Sequence, residues 1–374
     1  MKIEPPISES MVDRAAGCVV GALIGDALGV GPHWYYDIAE LRKDYGPWIN
    51  DYMAPKPGRY HSGVKPGELS QTGIIMKLLL ESMAKCGKYS EADFCHRLDE
   101  ELLPHLDGTP RHGPGGYTNH SFRHVWHARV REKKPWGQVA GNADTSEAAE
   151  RLTLIAARYA ADSGALAKYA ASCCLLTQND LLVVQQSVAF ALVLGALIRG
   201  EALDEQLSEK LMALVKEGEV PFAAMEGAAQ SSLRGRKTKN LCFPSPDALL
   251  LPSWIAEIAH DPAIRIEPAW KVSLIYGMSC AINFVLPASY YLAARFHGDF
   301  ESAVLHALNG GGQNMSRACL TGALVGAQAG LKGIPRRYID GLHNGKEIVS
   351  LAVRVAEKAS EVKESHELLA GSAK

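Results

Sequence analysis

The sequence predicts an all-α protein, and three observations carry that prediction. Apolar residues make up 47% of the 374-residue chain but aromatics only 7%, and Ala, Leu and Gly dominate over Val and Ile, a balance that favours packed helices over sheet. Apolar residues recur with helical periodicity through most of the chain, and two of the helical stretches carry glycine every fourth residue. Glycine and proline punctuate the runs at intervals suited to helix ends. The length allows one large domain or two average ones. No interval is biased enough to be a linker, so one domain over residues 11–356 with a charged, polar tail at 357–374 is expected.

The first helix reads from Met11 through "MVDRAAGCVVGALIGDALG", where Gly17, Gly21, Gly25 and Gly29 fall on one face. Glycine weakens a helix, so such a stripe signals close approach of another helix backbone. A second stripe, Gly322, Gly326 and Gly330, lies in "NGGGQNMSRACLTGALVGAQAG" and marks the partner. Between them, helices are expected at about Gly73–Cys86, Ser146–Ala161, Leu166–Leu175, Leu181–Arg199, Leu203–Lys216, Ala269–Phe284 and Ser289–Phe296. Leu181 to Ile198 is apolar enough to resemble a membrane span, but Gln185, Gln186 and Ser187 interrupt it, so a buried central helix is expected and no membrane partner. Lys56–Lys65 and Pro104–Tyr117 are long enough to be functional loops.

Net charge of −2 gives no footprint for nucleic acid or an anionic membrane, and the basic run "RGRKTK" at Arg234 reads as a solvated turn. A small neutral or modestly charged ligand fits better. The eight cysteines form no Cys-x-x-Cys pair and lie mostly in apolar helical stretches, as buried small hydrophobes do in a reducing compartment. "MKIEPPISES" lacks the apolar core of a signal peptide, so a cytoplasmic location is expected.

Four stretches combine glycine, polar groups and helix ends: "GDALGVGPHWYYD" from Gly25, "GELSQTG" from Gly67, "GNADTSE" from Gly141 and "GGQNMSR" from Gly311. In one helical globule they can converge on a cleft. Asp26 interrupts an apolar face and must be capped, paired or functional, because a lone buried carboxylate is costly. His33 and Asp37 add a titratable pair, and Trp34 and Tyr35 offer flat faces for a base or sugar. Ser70, Gln71 and Thr72 open a helix, where Ser70 or Thr72 as a plain N-cap is the simpler reading. After Asn142 the stretch reads as a turn followed by a capping box, with Asp144, Thr145 or Ser146 as candidate caps and acids in the first turn. Gly311 and Gly312 let backbone approach a ligand, with Gln313, Asn314 and Arg317 beside them.

The order of "GALIGDALGV", a polar helix-opening turn near residue 70, an alanine-rich middle and "GGQNMSRACLTGALVGAQAG" followed by "GIP" resembles the ADP-ribosylglycohydrolase family from about Arg14 to Ala356. The resemblance implies a compact single-domain orthogonal helix bundle, a central cleft with two magnesium ions, and hydrolysis of the bond joining ADP-ribose to an amino-acid side chain. The family's Thr-Asp-Asp run falls on Ser70, Gln71 and Thr72, and its Asp-x-Asp-Thr run on Gln313, Asn314, Met315 and Ser316. Every aspartate is replaced. The usual glutamate after Gly-Asp-Ala-Leu-Gly is replaced by His33 or Trp34. This pattern and "HWYYD" look more like the branch containing the jellyfish J-type lens crystallins.

Magnesium prefers hard, charged oxygen ligands, so no metal or other cofactor is expected. The leading expectation is a protein that binds a ribosyl-type small molecule and cleaves its glycosidic bond without metal. Asp26 or Asp37 would supply the anion for an oxocarbenium-like state, with His33 as base. Gln71, Asn142, Gln313 and Asn314 would hydrogen-bond sugar hydroxyls, Trp34 or Tyr35 would stack, and Arg317 would meet a phosphate or pair with Asp26 or Asp37. The alternative is a silent binding or structural protein of the crystallin kind. The oligomeric state is open.

Overall fold

The structure is a computed structural model that describes residues 9–108, 114–224 and 241–361. Among these residues there are helices, turns and three isolated antiparallel or parallel bridges, with no named strand. At its centre α1 (Glu9–Val30) runs antiparallel to α14 (Asn314–Ala329). Gly17 faces Gly326, Gly21 faces Gly322, Gly25 faces Ala318 and Gly29 faces Met315. A Cβ built on Gly17, Gly21 or Gly25 would lie less than 3.0 Å from a carbonyl oxygen of α14, so the two backbones touch as the stripes predict.

Around this pair, α2 (Ile38–Tyr45) and α3 (Gln71–Cys86) follow on one side, then α4 (Glu91–Arg97) and α5 (His120–Trp126). The apolar middle is built from α6 (Glu147–Tyr159), α7 (Ser163–Leu175) and α8 (Leu181–Arg199). α8 packs on α6 and α7, and every residue from Val183 to Ile198 is buried. Its length and hydropathy alone would allow a membrane crossing, but 89% of its most apolar window is enclosed by the protein. α9 (Leu207–Lys216) and α10 (Pro246–His260) pair beyond it. The chain then passes through α11 (Val272–Tyr276), α12 (Ile282–Arg295) and α13 (Phe300–Leu308) to reach α14, and closes with α15 (Arg336–Gly341) and α16 (Gly345–Glu357).

Several helix bounds differ from the sequence reading. The expected helix Ala269–Phe284 is broken: Gly277 takes φ 126°, outside the helical region, and the chain restarts at Ile282, whose N–H bonds Asp144 O at 2.9 Å. The restarted helix then runs through Pro287 and absorbs the segment expected from Ser289. α9 begins at Leu207 rather than Leu203. Among the helices unmarked in the sequence reading, α10 and α13 start from side-chain caps, Ser245 followed by Pro246 and Asp299. The eight cysteines are all free; five are buried, Cys242 and Cys280 are half-buried and Cys86 is exposed. "RGRKTK" and most of the 357–374 tail lie outside the described residues.

Candidate functional site

Hydrogen bonds between loops draw the four glycine-rich stretches together at the amino-terminal ends of α14, α3 and α6. Gly312 N–H donates to Tyr35 O at 2.7 Å, Gln313 N–H donates to Met278 O at 2.8 Å, and Thr145 bridges Ala281. Gly311 and Gly312 make the turn into α14 at φ 65° and 57°, and a Cβ on Gly312 would strike Met278. Opposite them Trp34 also holds a left-handed backbone, φ 64°, which is strained for so bulky a residue.

The Gln313 carboxamide is the hub of the site. Its Oε1 accepts from the Trp34 indole N–H and from His33 Nε2 at 3.2 Å, while its Nε2 donates to Ser316 Oγ at 2.8 Å. With His33 Nε2 donating, His33 Nδ1 is left as an acceptor and takes the Nε2–H of His61 at 2.7 Å. Both His33 nitrogens are therefore occupied. Burial first, and His61 second, hold His33 well below the usual imidazole range, so it is neutral near pH 7. Trp34, Tyr60 and Tyr117 pack edge to face beside this network, with ring centroids 4.5 to 5.2 Å apart.

Asp26, fully buried on α1, accepts the Ser70 N–H at 2.9 Å and the Ser70 hydroxyl. A Cβ on Gly73 would collide with this carboxylate, so glycine at the start of α3 makes room for it. Burial raises the Asp26 carboxyl to about 6, with the Ser70 hydrogen bonds opposing. Ser70 is the N-cap of α3, as the simpler reading has it, and its Oγ also accepts from Gly73 N–H at 3.2 Å. Gln71 and Thr72, the next two residues, are buried in the first turn of α3: Gln71 Oε1 accepts from Asn119 N–H at 3.1 Å and Thr72 Oγ1 accepts from Asn119 Nδ2 at 3.0 Å.

Two acids that the sequence reading passed over complete the cluster. Glu147 and Glu150 lie together on the first turns of α6: the Glu150 carboxyl faces Ser316 and Asp26, and the Glu147 carboxyl faces Thr145 and the His120 backbone. The expected capping box is absent: Thr145 Oγ1 bonds Glu147 and Ser146 Oγ bonds Glu150 at 2.8 Å, because these carboxylates draw the hydroxyls away from the backbone. Burial raises both acids. Glu150, at 0% exposure, goes up to about 8 through burial and then through Glu147, against the Ser146 and Ser316 hydroxyls. Its Oε2 is buried without a hydrogen-bond partner. The only hint in the sequence was a pair of glutamates three residues apart at a helix start, which ordinary dipole complementation also accounts for.

Other expected site residues have structural work. Asp37 is exposed and caps α2 by accepting from Ala39 N–H at 2.7 Å and Glu40 N–H at 3.4 Å. Tyr35 is buried, bonds Asp44 at 2.7 Å and carries the Arg59 guanidinium on its ring. Asn314 Nδ2 serves Pro32 O and Leu308 O. Arg317 meets neither Asp26 nor Asp37: fully buried, it donates to Ala307 O and Gly311 O and so fastens the end of α13 to the glycine turn. Asn142 and Asp144 are exposed, and Asp144 contributes its backbone carbonyl. Among the described residues no group of three or more His, Cys, Asp or Glu is arranged to hold a metal ion.

The fold is all-α, with a central glycine-packed helix pair and a cluster of buried polar and titratable side chains at its end. Residues 8–365 match the family described as ADP-ribosylglycohydrolase, and the chain belongs to that family. It is 23% identical over 365 residues to crystallin J1A of Tripedalia cystophora, spanning 94% of this chain and 98% of the crystallin. Crystallin J1B of the same animal is 22% identical, over 93% of this chain and 98% of its own length. An uncharacterized protein of Archaeoglobus fulgidus is 24% identical, over 93% and 97%. A solved structure titled "ADP-ribosylglycohydrolase-related protein complex" shares the fold with a TM-score of 0.60 at 18% identity, covering 94% of this chain and all of that one.

Proposed function

We propose that this protein is a magnesium-independent member of its family that binds a ribosyl-type small molecule in the cleft beside Trp34, Tyr117 and Gln313 and does not run the family's hydrolysis. The observation that carries the reading is the Gln313 hub. At the position where the resemblance places a metal-binding aspartate stands a neutral amide, and its oxygen is already spent on Trp34 and His33. The other aligned positions offer the Ser70 and Ser316 hydroxyls, both hydrogen-bonded, and Met315, whose side chain packs on Gly29; the nearby Asp26 and Glu150 carboxyls are engaged by Ser70 and Ser146, and no three acids, histidines or cysteines among the described residues are arranged around an ion. Neutral and soft donors of this kind do not offset the dehydration of magnesium. His33, with its one lone pair taken by His61, has none left to accept a proton from water.

A second reading is favoured by Glu150. A carboxyl raised to about 8 is protonated at neutral pH, and beside the anionic form of Asp26 or Glu147 it forms an acid and anion pair of the kind glycosidic cleavage uses. Isothermal titration of ADP-ribose in EDTA tests the first reading: saturable binding, weakened at least tenfold by Gln313→Ala, is expected, and absence of binding would overturn it. Release of ribosyl product in EDTA, abolished by Glu150→Gln, would select the second.

A further inference from the structure

We propose that a groove at the far end of α14 from Gln313 binds a small anionic amphiphile of the medium-chain carboxylate class. The groove lies between the segment 331–339 and the first turns of α16 and encloses about 560 Å³, within the ~300–1,000 Å³ usual for small-molecule sites. α14 has 16 residues, so at 1.5 Å per residue the two sites lie roughly 24 Å apart along it.

The lining has two kinds of chemistry. Ile334, Ile339 and Val349 give an apolar floor, and Lys332, Arg336 and Lys346 supply three cations with no acidic side chain among them. Asp340 and Asp13 stand beside two of them, so the uncompensated positive charge at this rim is that of Lys346. Arg336 is in part neutralised by Asp340 at 3.0 Å, and Lys332 N–H reaches Asp13 Oδ1 at 3.3 Å, while Lys346 has no ion-pair partner among the described residues. A polar anion would leave the floor wet, and a neutral alkane would leave Lys346 unmatched. A chain of methylenes ending in a carboxylate satisfies both, its tail on Ile334 and Ile339 and its head beside Lys346.

The test is calorimetric titration with decanoate below its micellar concentration, alongside decanol and acetate. One saturable site for decanoate is expected, with decanol and acetate each at least tenfold weaker. Lys346→Glu and, separately, Val349→Asp lie on the surface of α16, and each is expected to weaken decanoate at least tenfold with an unchanged circular dichroism spectrum. Decanoate binding that is unsaturable or absent, that both variants leave intact, or that decanol matches would overturn the proposal. So would binding seen with anionic phospholipid vesicles but not with free decanoate.

Discussion

The two ends of one helix pair obey different rules. Along the α1–α14 interface Gly17, Gly21, Gly25, Ala318, Gly322 and Gly326 let the two backbones touch. At the amino-terminal end of α14, a few residues further on, the chain buries Asp26, Glu147, Glu150, His33 and Arg317 close together and leaves Glu150 Oε2 and Asn314 Oδ1 without partners. Packing without polar groups stabilises the fold, whereas buried titratable groups lower stability and persist where they serve a site. The difference separates what holds this protein together from what it does.

The largest effect is expected where the comparison is broken at the packed end. Gly21→Leu drives a side chain into the Gly322 carbonyl and Phe300, and since the clash is with backbone the cost exceeds the usual overpacking range of about 1–3 kcal/mol. Chemical denaturation, or failure to obtain folded protein, checks it; a loss under about 1 kcal/mol would contradict the interlock.

At the polar end the effect depends on pH. Glu150 rises from 4.5 to about 8 on folding and Asp26 from 3.8 to about 6, so between these limits the folded state holds protons that the unfolded state releases. Their contribution is full below the unfolded values and is lost as pH rises through the folded ones, at up to about 1.4 kcal/mol per pH unit per group. Stability therefore falls from about pH 3.8, where Asp26 begins to contribute, to about pH 8. Glu150→Gln, which keeps the shape without the charge, is expected to flatten the upper part of that fall and to exceed the parent in stability above about pH 8. Parallel stability profiles for the two proteins would show that Glu150 ionises freely.

A smaller loss is expected from His33→Ala. It takes the acceptor from His61 and one donor from Gln313, and orphaning buried polar groups costs about 1–3 kcal/mol each. Thermal denaturation reads the loss, and an unchanged midpoint would mean that the His61–His33–Gln313 chain is not a structural unit.

The fold was legible because its main contact is written in residues that lack side chains: glycine at four-residue spacing weakens a helix and is kept where a second backbone must come close. Convergence of the stretches around Asp26, Ser70 and Gln313 was legible for a related reason, since glycine turns next to polar residues mark places where backbones approach. The chemistry inside the site was less so. His33 reads as a free base until His61, 28 residues on, is found on its ring. Arg317 reads as an anion partner until the carbonyls of Ala307 on α13 and Gly311 in the glycine turn are found accepting from it. Glu147 and Glu150 are, in the sequence, first-turn acids of an expected capping box, and only the packing of α6 against α1 and α3 buries them. The break at Gly277 was hidden because apolar periodicity continues across it, and the pairing of Ile282 with Asp144 that fixes the restart is remote in sequence.

Calorimetric titration of magnesium into metal-stripped protein, with and without saturating ADP-ribose, tests the central claim that this cleft works without the metal. The neutral hub at Gln313 predicts no saturable magnesium binding below millimolar concentration in either state, and the same ADP-ribose affinity in magnesium as in EDTA. One or two tightly bound magnesium ions per chain, or ADP-ribose binding that appears only when magnesium is present, would contradict it.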